Sequence, residues 1–259
     1  MRIRPRPIIA RATMIGWIDL LGYGGQIAEA NFDPKHPRAK TPINRLRKFH
    51  KIVREHSSSK FRTLTINDGA AAYRDHHKVS PKFAYDFIRQ CWKLFKAVQE
   101  QDPIGARMVI ATGQRAMGSR AGIEQVQSDF SKILNRFSNG EISLDEAHEK
   151  AQHVQRYSDI IPQLQSNYAF SKAYIIEESG STYNIQGQEC YIDLDFFINQ
   201  ETNPTWITTD TPVYWEKKGL TATVAPIKSI NKLEKYTPSA THLLYEKRKI
   251  DKIRKGRDW

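Results

Sequence analysis

The chain has 259 residues, 39% of them hydrophobic, with a mean hydropathy of −0.60, which fits one soluble globular unit. No run approaches the roughly 18 apolar residues of a membrane span, so stable membrane insertion is excluded. A formal net charge of +12 and an isoelectric point near 9.6 suit an anionic partner such as a nucleic acid, a nucleotide or an acidic membrane surface.

The N-terminus, "MRIRPRPIIARATMIGWIDLLG", places basic residues before an apolar stretch, as a secretion signal does. Arg11 and Asp19 interrupt the stretch and no small-residue cleavage site follows, so a cytoplasmic protein is expected. Residues 12–20 read as a buried strand that runs into Gly22. Residues 41–56 open with Thr-Pro, and Ile43, Leu46, Phe49, Ile52 and Val53 mark an amphipathic helix. "FRTLTINDGAAAYRD" reads as two strands around an Asn-Asp-Gly turn. A second Ser-Pro start follows, with Phe83, Phe87, Cys91, Leu94, Phe95 and Val98 on one helical face.

"GARMVIATGQ" (105–114) is a further strand. Residues 115–160 read as a helical insertion, its second helix opened by a capping box from Ser143 to Glu146. Pro162 is expected to start another helix reaching about Glu178, and strands are expected at 189–198 and 220–227. The two cysteines, Cys91 and Cys190, lie on a helix and a strand without metal spacing, and read as buried free thiols. The basic C-terminal tail, 240–259, is expected to be helical over 240–255, and its "EKRKIDKIRKGRDW" holds seven Lys/Arg against three acids. The order β-α-β-β-α-β predicts one α+β domain over 1–259: a ferredoxin-like antiparallel sheet with helices packed on one face.

In such a sheet the first strand and the hairpin are neighbours. Asp19 and Asp68 are then brought together, although 49 residues separate them. Two close carboxylates repel unless one is protonated or a cation lies between them. Oxygen ligands from few protein groups suit Mg²⁺ or Mn²⁺ shared with a phosphate. The small residues of "LGYGG" leave backbone N–H groups open to a polyphosphate.

"WIDLLGYG" followed by "LTINDGAAAY" resembles the class III nucleotidyl cyclases, as do "GARMVIATGQ" and "QSNYAFSKAYIIEESG", over roughly residues 12–115 and 157–225. Purine cyclases of that family have a Lys four residues before the second Asp, where this chain has Leu64. They also pair an Asn with an Arg four residues on. From Asn167 that position is Ser171, and from Tyr168 it is Lys172. These departures resemble the pyrimidine cyclases of bacterial Pycsar anti-phage systems.

The resemblance implies conversion of UTP, favoured over CTP, to a 3′,5′-cyclic nucleotide and pyrophosphate, the product activating a separate effector. It implies two Mn²⁺ or Mg²⁺ ions held by Asp19, Asp68 and the carbonyl of Leu20. Gly22, Tyr23 and Gly24 would hold phosphates, and Arg62, Leu64 and Asp159 would lie at the base. Tyr168 and Lys172 would be catalytic and would serve the partner's metals in a head-to-tail homodimer with interfacial sites.

Plainer readings stand beside these. Asp19 and Asp68 are also ordinary strand-end and turn acids, Lys172 a solvated helix lysine, Tyr168 a packing residue and Asp159 an exposed pre-helix acid. Thr65 is read as a neighbour of the base region, and His76 and His77 as a surface loop. Three further functions fit the same residues: an adenylate or guanylate cyclase of the same fold, a cyclase fold without turnover, and a basic nucleic-acid-binding module.

Overall fold

The computed structural model describes residues 9–75, 81–117, 123–157, 161, 163–197, 205–217 and 219–232. Strand β1 (Ile9–Leu20) sets the architecture. Its Met14, Ile18 and Leu20 point to one face and Ile15 and Trp17 to the other, and all five are buried. A strand with apolar residues on both faces needs cover on both.

β1 pairs antiparallel with β3 (Gly69–Asp75) on one side and β4 (Ala106–Met117) on the other. β2 (Arg62–Ile66) flanks β3. The resulting order β2-β3-β1-β4 is that of a ferredoxin-like unit. Beyond β4 the sheet continues through β5 (Cys190–Asp193), which runs parallel to β4, to β8 (Leu220–Ile230). β6 (Ile207–Thr209) and β7 (Val213–Lys217) both pair with β8.

Helices α1 (Tyr23–Glu29), α2 (Lys40–His56) and α3 (Pro81–Gln101) cover the Met14 face. α6 (Tyr168–Ser179) covers the Trp17 face, through Ala169, Ala173 and Ile176. The two helices of the β-α-β-β-α-β core, α2 and α3, share one face as expected, and α6, which follows that core in the chain, covers the other. Its alanines, one turn apart, let the helix backbone approach the sheet closely. α4 (Ile123–Ser138) and α5 (Leu144–Tyr157) pack on each other, and Ser143 Oγ accepts the Glu146 N–H at 3.2 Å as the capping motif requires.

Several boundaries differ from the sequence reading. Residues 163–166 form turns, and α6 starts at Tyr168 rather than Pro162. Its N-cap is Asn167, whose side chain accepts the Phe170 N–H at 3.0 Å. The strand expected over 189–198 ends at Asp193, where the chain tightens into a 3₁₀ turn over Leu194–Phe197. Phe83 is 42% exposed beneath the Arg74 guanidinium instead of joining the core. Cys91 and Cys190 are buried free thiols, as expected. His76, His77 and the 240–259 tail lie outside the described residues.

Candidate active site

Register places the two candidate carboxylates at one end of the sheet. Asp19 pairs across β1 and β3 with Gly69, and the Leu20 N–H donates to the Asp68 carbonyl at 3.1 Å. Asp68 thus sits in the β2–β3 turn, one residue beyond the residue facing Asp19. The left-handed position in that turn is Asn67, at φ 53°. The sequence reading gave Gly69 a turn role, but its requirement is room. A Cβ at Gly69 would lie 2.3 Å from the Trp17 ring and 3.0 Å from an Asp19 carboxylate oxygen.

The chain leaves the Asp19 carboxylate among acids. Burial pushes its pKa up to about 8, and the charges of Glu177 and Asp68 push the same way. Arg107 and Arg45 pull it down by less. Arg107 stands opposite Asp19 on β4, but its guanidinium is committed to Glu177, at 2.8 and 3.1 Å. Glu177 also accepts from Trp17 Nε1 at 3.4 Å, and burial raises its pKa, outweighing Arg107.

Arg45 is a buried cation near the same end of the sheet. It bonds Asp102 at 2.5 Å, the Leu21 carbonyl at 2.7 Å and the Gly105 carbonyl at 2.9 Å. It therefore pins the turn that follows Asp19. Gly22, at φ 69°, takes a left-handed conformation there and begins α1. Gly24 is open, and a Cβ there would meet nothing within 4 Å, whereas the Tyr23 side chain is buried in the core. Tyr23 therefore offers that turn its backbone N–H.

Arg107, Glu177 and Arg45 were missed by the sequence reading, although a signal was present. Arg45 lies one turn before Phe49, and Glu177 one turn after Ala173, so each places a charge on a buried helical stripe.

The remaining candidates fall elsewhere. Leu64 pairs with Ala71 and Arg62 with Tyr73, which puts both on the Trp17 face with Asp19. Thr65 points to the opposite face, so it does not flank the same surface. Asp159 lies outside the described residues. Tyr168 is 54% exposed at the start of α6. Lys172 Nζ bonds Asp193 and Asp195, both at 2.6 Å. Burial lowers its pKa, but the two carboxylates outweigh that and raise it overall.

Asp193 also accepts the Thr112 N–H, at 3.4 Å. Thr112 and Arg107 are five residues apart on β4, roughly 17 Å at the rise of a strand. Lys172 therefore sits far from Asp19 of the same chain. The structure brings Asp19, Asp68, Leu20 and the Gly22 turn together, and places Tyr168 and Lys172 toward the other end of the sheet.

Among the described residues no three His, Cys, Asp or Glu form a metal-holding cluster. Two oxygen donors beside a turn of open backbone nevertheless fit Mg²⁺ or Mn²⁺, whose other ligands would come from substrate phosphates and water. A cation would also relieve the crowding that holds Asp19 protonated.

No protein-family model matches the sequence, and no curated protein matches it. Solved structures do. The chain is similar to the guanylyl cyclase Cya2, with a TM-score of 0.51 and 11% identity, over 90% of this chain and 99% of that one. It also aligns with the adenylyl cyclase CyaB from P. aeruginosa (TM-score 0.48, 10% identity, 90% of this chain and 100% of that one). A bacterial light-regulated adenylyl cyclase aligns at TM-score 0.44 and 9% identity, over 97% of this chain and 59% of that one. The chain has the fold of the class III cyclase catalytic domain. No helix among the described residues is long and apolar enough to cross a membrane.

Proposed function

We propose that the chain is a cytoplasmic pyrimidine nucleotide cyclase that converts UTP, or CTP, to the 3′,5′-cyclic nucleotide as a second messenger in anti-phage defence. The observation that carries this is the Asp19–Asp68 juxtaposition on a cyclase fold, beside the pinned Gly22 turn. Leu64, in place of a purine-type Lys, supports the pyrimidine assignment. A separate effector would read the product.

In the reaction the ribose 3′-oxygen attacks the α-phosphorus, the cyclic ester forms, and the bond to pyrophosphate breaks. Asp19 and Asp68, with the Leu20 carbonyl, would hold Mn²⁺ or Mg²⁺, two ions per site, a charge that lowers the 3′-OH pKa and neutralises the triphosphate. Backbone N–H groups of Gly22, Tyr23 and Gly24 orient the phosphates. Arg62 and Leu64 would line the base, and Asp159 is proposed as a third base contact. The placement of Asp19 and Lys172 toward opposite ends of the sheet within one chain supports a head-to-tail homodimer. In it, Tyr168 and Lys172 of one protomer meet the α-phosphate bound by the other, and Lys172 opposes the charge developing there.

Incubating the full chain with each of the four nucleoside triphosphates and Mn²⁺, then identifying products by mass, tests the reading. Cyclic UMP or cyclic CMP is expected. A cyclic purine would instead identify an adenylate or guanylate cyclase, and no cyclic product from any of the four would end the cyclase reading.

A further inference from the structure

We propose that the groove between α2 and β2 binds the sugar–phosphate backbone of duplex nucleic acid, on the face of the sheet opposite Asp19. Helix α2 carries Lys40, Arg45, Arg47, Lys48, Lys51 and Arg54 against one acid, Glu55. Arg45 is buried and held by Asp102, but the others lie on the surface. Arg47, His50, Lys51 and Arg54 stand at i, i+3, i+4 and i+7, which is one helical face.

These four residues form one wall of a groove of about 540 Å³. Thr63 and Thr65 of β2 form the other wall, with Ser57 between them, and no carboxylate lines it. Arg47 and Arg54 make no ion pair among the described residues, and Lys51 reaches only Glu55, at 3.9 Å. His50 is engaged with the Asn67 carbonyl at 2.8 Å, so the free charge is that of the two arginines and the lysine.

The dimensions favour a polymer over a small anion. From Arg47 to Arg54 the helix rises about 10 Å. One strand of a duplex presents a phosphate for about every 3.4 Å of axial rise and spaces them more widely along its backbone, so the three cations follow a run of roughly two to three phosphates. The Thr65 hydroxyl is suited to a phosphate oxygen, whereas Ser57 donates to the Val53 carbonyl and bonds the Thr63 hydroxyl at 2.5 Å. The one aromatic ring in the groove, the His50 imidazole, is held by the Asn67 carbonyl, and no side-chain amide lines it to read a base, so binding is expected to be independent of sequence. A free nucleotide would lack an apolar slot for its base, since Val53 is the one aliphatic residue of the lining.

Fluorescence anisotropy of a labelled DNA duplex of about 20 base pairs, titrated with the full chain between about 50 and 200 mM salt, tests the proposal. The expected result is salt-dependent binding that falls at least about tenfold in the triple variant Arg47→Glu/Lys51→Glu/Arg54→Glu, with the log–log salt slope smaller by about two to three. Asp19→Ala is expected to bind the duplex as the parent does. If the charge reversal misfolds by circular dichroism, the triple Gln variant carries the same expectation. Three results would overturn the proposal. They are absence of binding by the parent, unchanged affinity and slope in the folded triple variant, and displacement of the duplex by an equimolar amount of inorganic triphosphate, which marks a small-anion site.

Discussion

Asp19, next to last in β1, and Asp193, last in β5, are aspartates of one sheet whose carboxyls burial raises, to about 8 and about 6. Their surroundings differ in sign. Asp193 is fully buried, yet it receives the Lys172 ammonium at 2.6 Å and two backbone N–H groups, those of Thr112 and Asp195. Asp19 receives no hydrogen bond or ion pair among the described residues, and its neighbours Glu177 and Asp68 repel it. Nearby Arg107 is already held by Glu177. One end of the sheet is compensated from within the chain. The other is left without a positive charge of its own, which supports the proposed cation site there.

The largest effect expected from this contrast is on turnover. Asp19→Ala should lower cyclic-product formation by about 10³-fold or more, a loss of about 4 kcal/mol of transition-state stabilisation. Its circular dichroism spectrum should be unchanged. Lys172→Met would make the compensated end resemble the other by stranding Asp193. Urea unfolding at pH 7 should show a loss of about 3–5 kcal/mol. Because the Asp193 pKa is raised in the folded state, the folded chain holds that proton more tightly. Without the Lys172 ammonium, which pulls the Asp193 pKa down, the variant's carboxyl is neutral over a range where the parent's is ionised, so the loss should shrink as pH falls toward about 6 and level off below it.

Crowding the uncompensated end should cost less. Gly69→Ala drives a methyl group into the Trp17 ring and should lower unfolding free energy by about 1–3 kcal/mol in the same assay. The smallest effect has the opposite sign. Asp19 has a folded pKa of about 8 against 3.8 unfolded, so its ionisation weakens the fold as pH rises through that window. Asp19→Asn removes that penalty and should raise metal-free stability at pH 8 by about 1–2 kcal/mol, after discounting for partial exposure. At pH 4 it should change little.

Periodicity in the sequence was sufficient for β1, α2, α3 and β4, because each buries an apolar pattern, and the Asn-Asp-Gly turn was the signal for the hairpin, whose β2 stays largely exposed. Periodicity was insufficient where tertiary contacts decide. "YGGQIAE" folds as α1 despite two glycines, and β6 is too short, at three residues, to show a period. The α6 start was displaced because Pro162 is a generic helix opener, whereas Asn167 is the residue that caps. Asp19 was legible as a charge in an apolar strand, and Asp68 as the acid of a turn that the expected sheet brings beside it. The electrostatic frame around them was not. Arg107 meets Glu177 across 70 residues and Arg45 meets Asp102 across 57, pairings that only the folded sheet and helices create.

Mn²⁺ titration of the full chain at pH 8 with a non-cyclisable UTP analogue, followed by the electron paramagnetic resonance of the free ion, tests the central claim most directly. Ion uptake by the parent that is lost in both Asp19→Ala and Asp68→Ala is the predicted result. Equal uptake by the parent and both variants would contradict a metal site built on these two carboxylates.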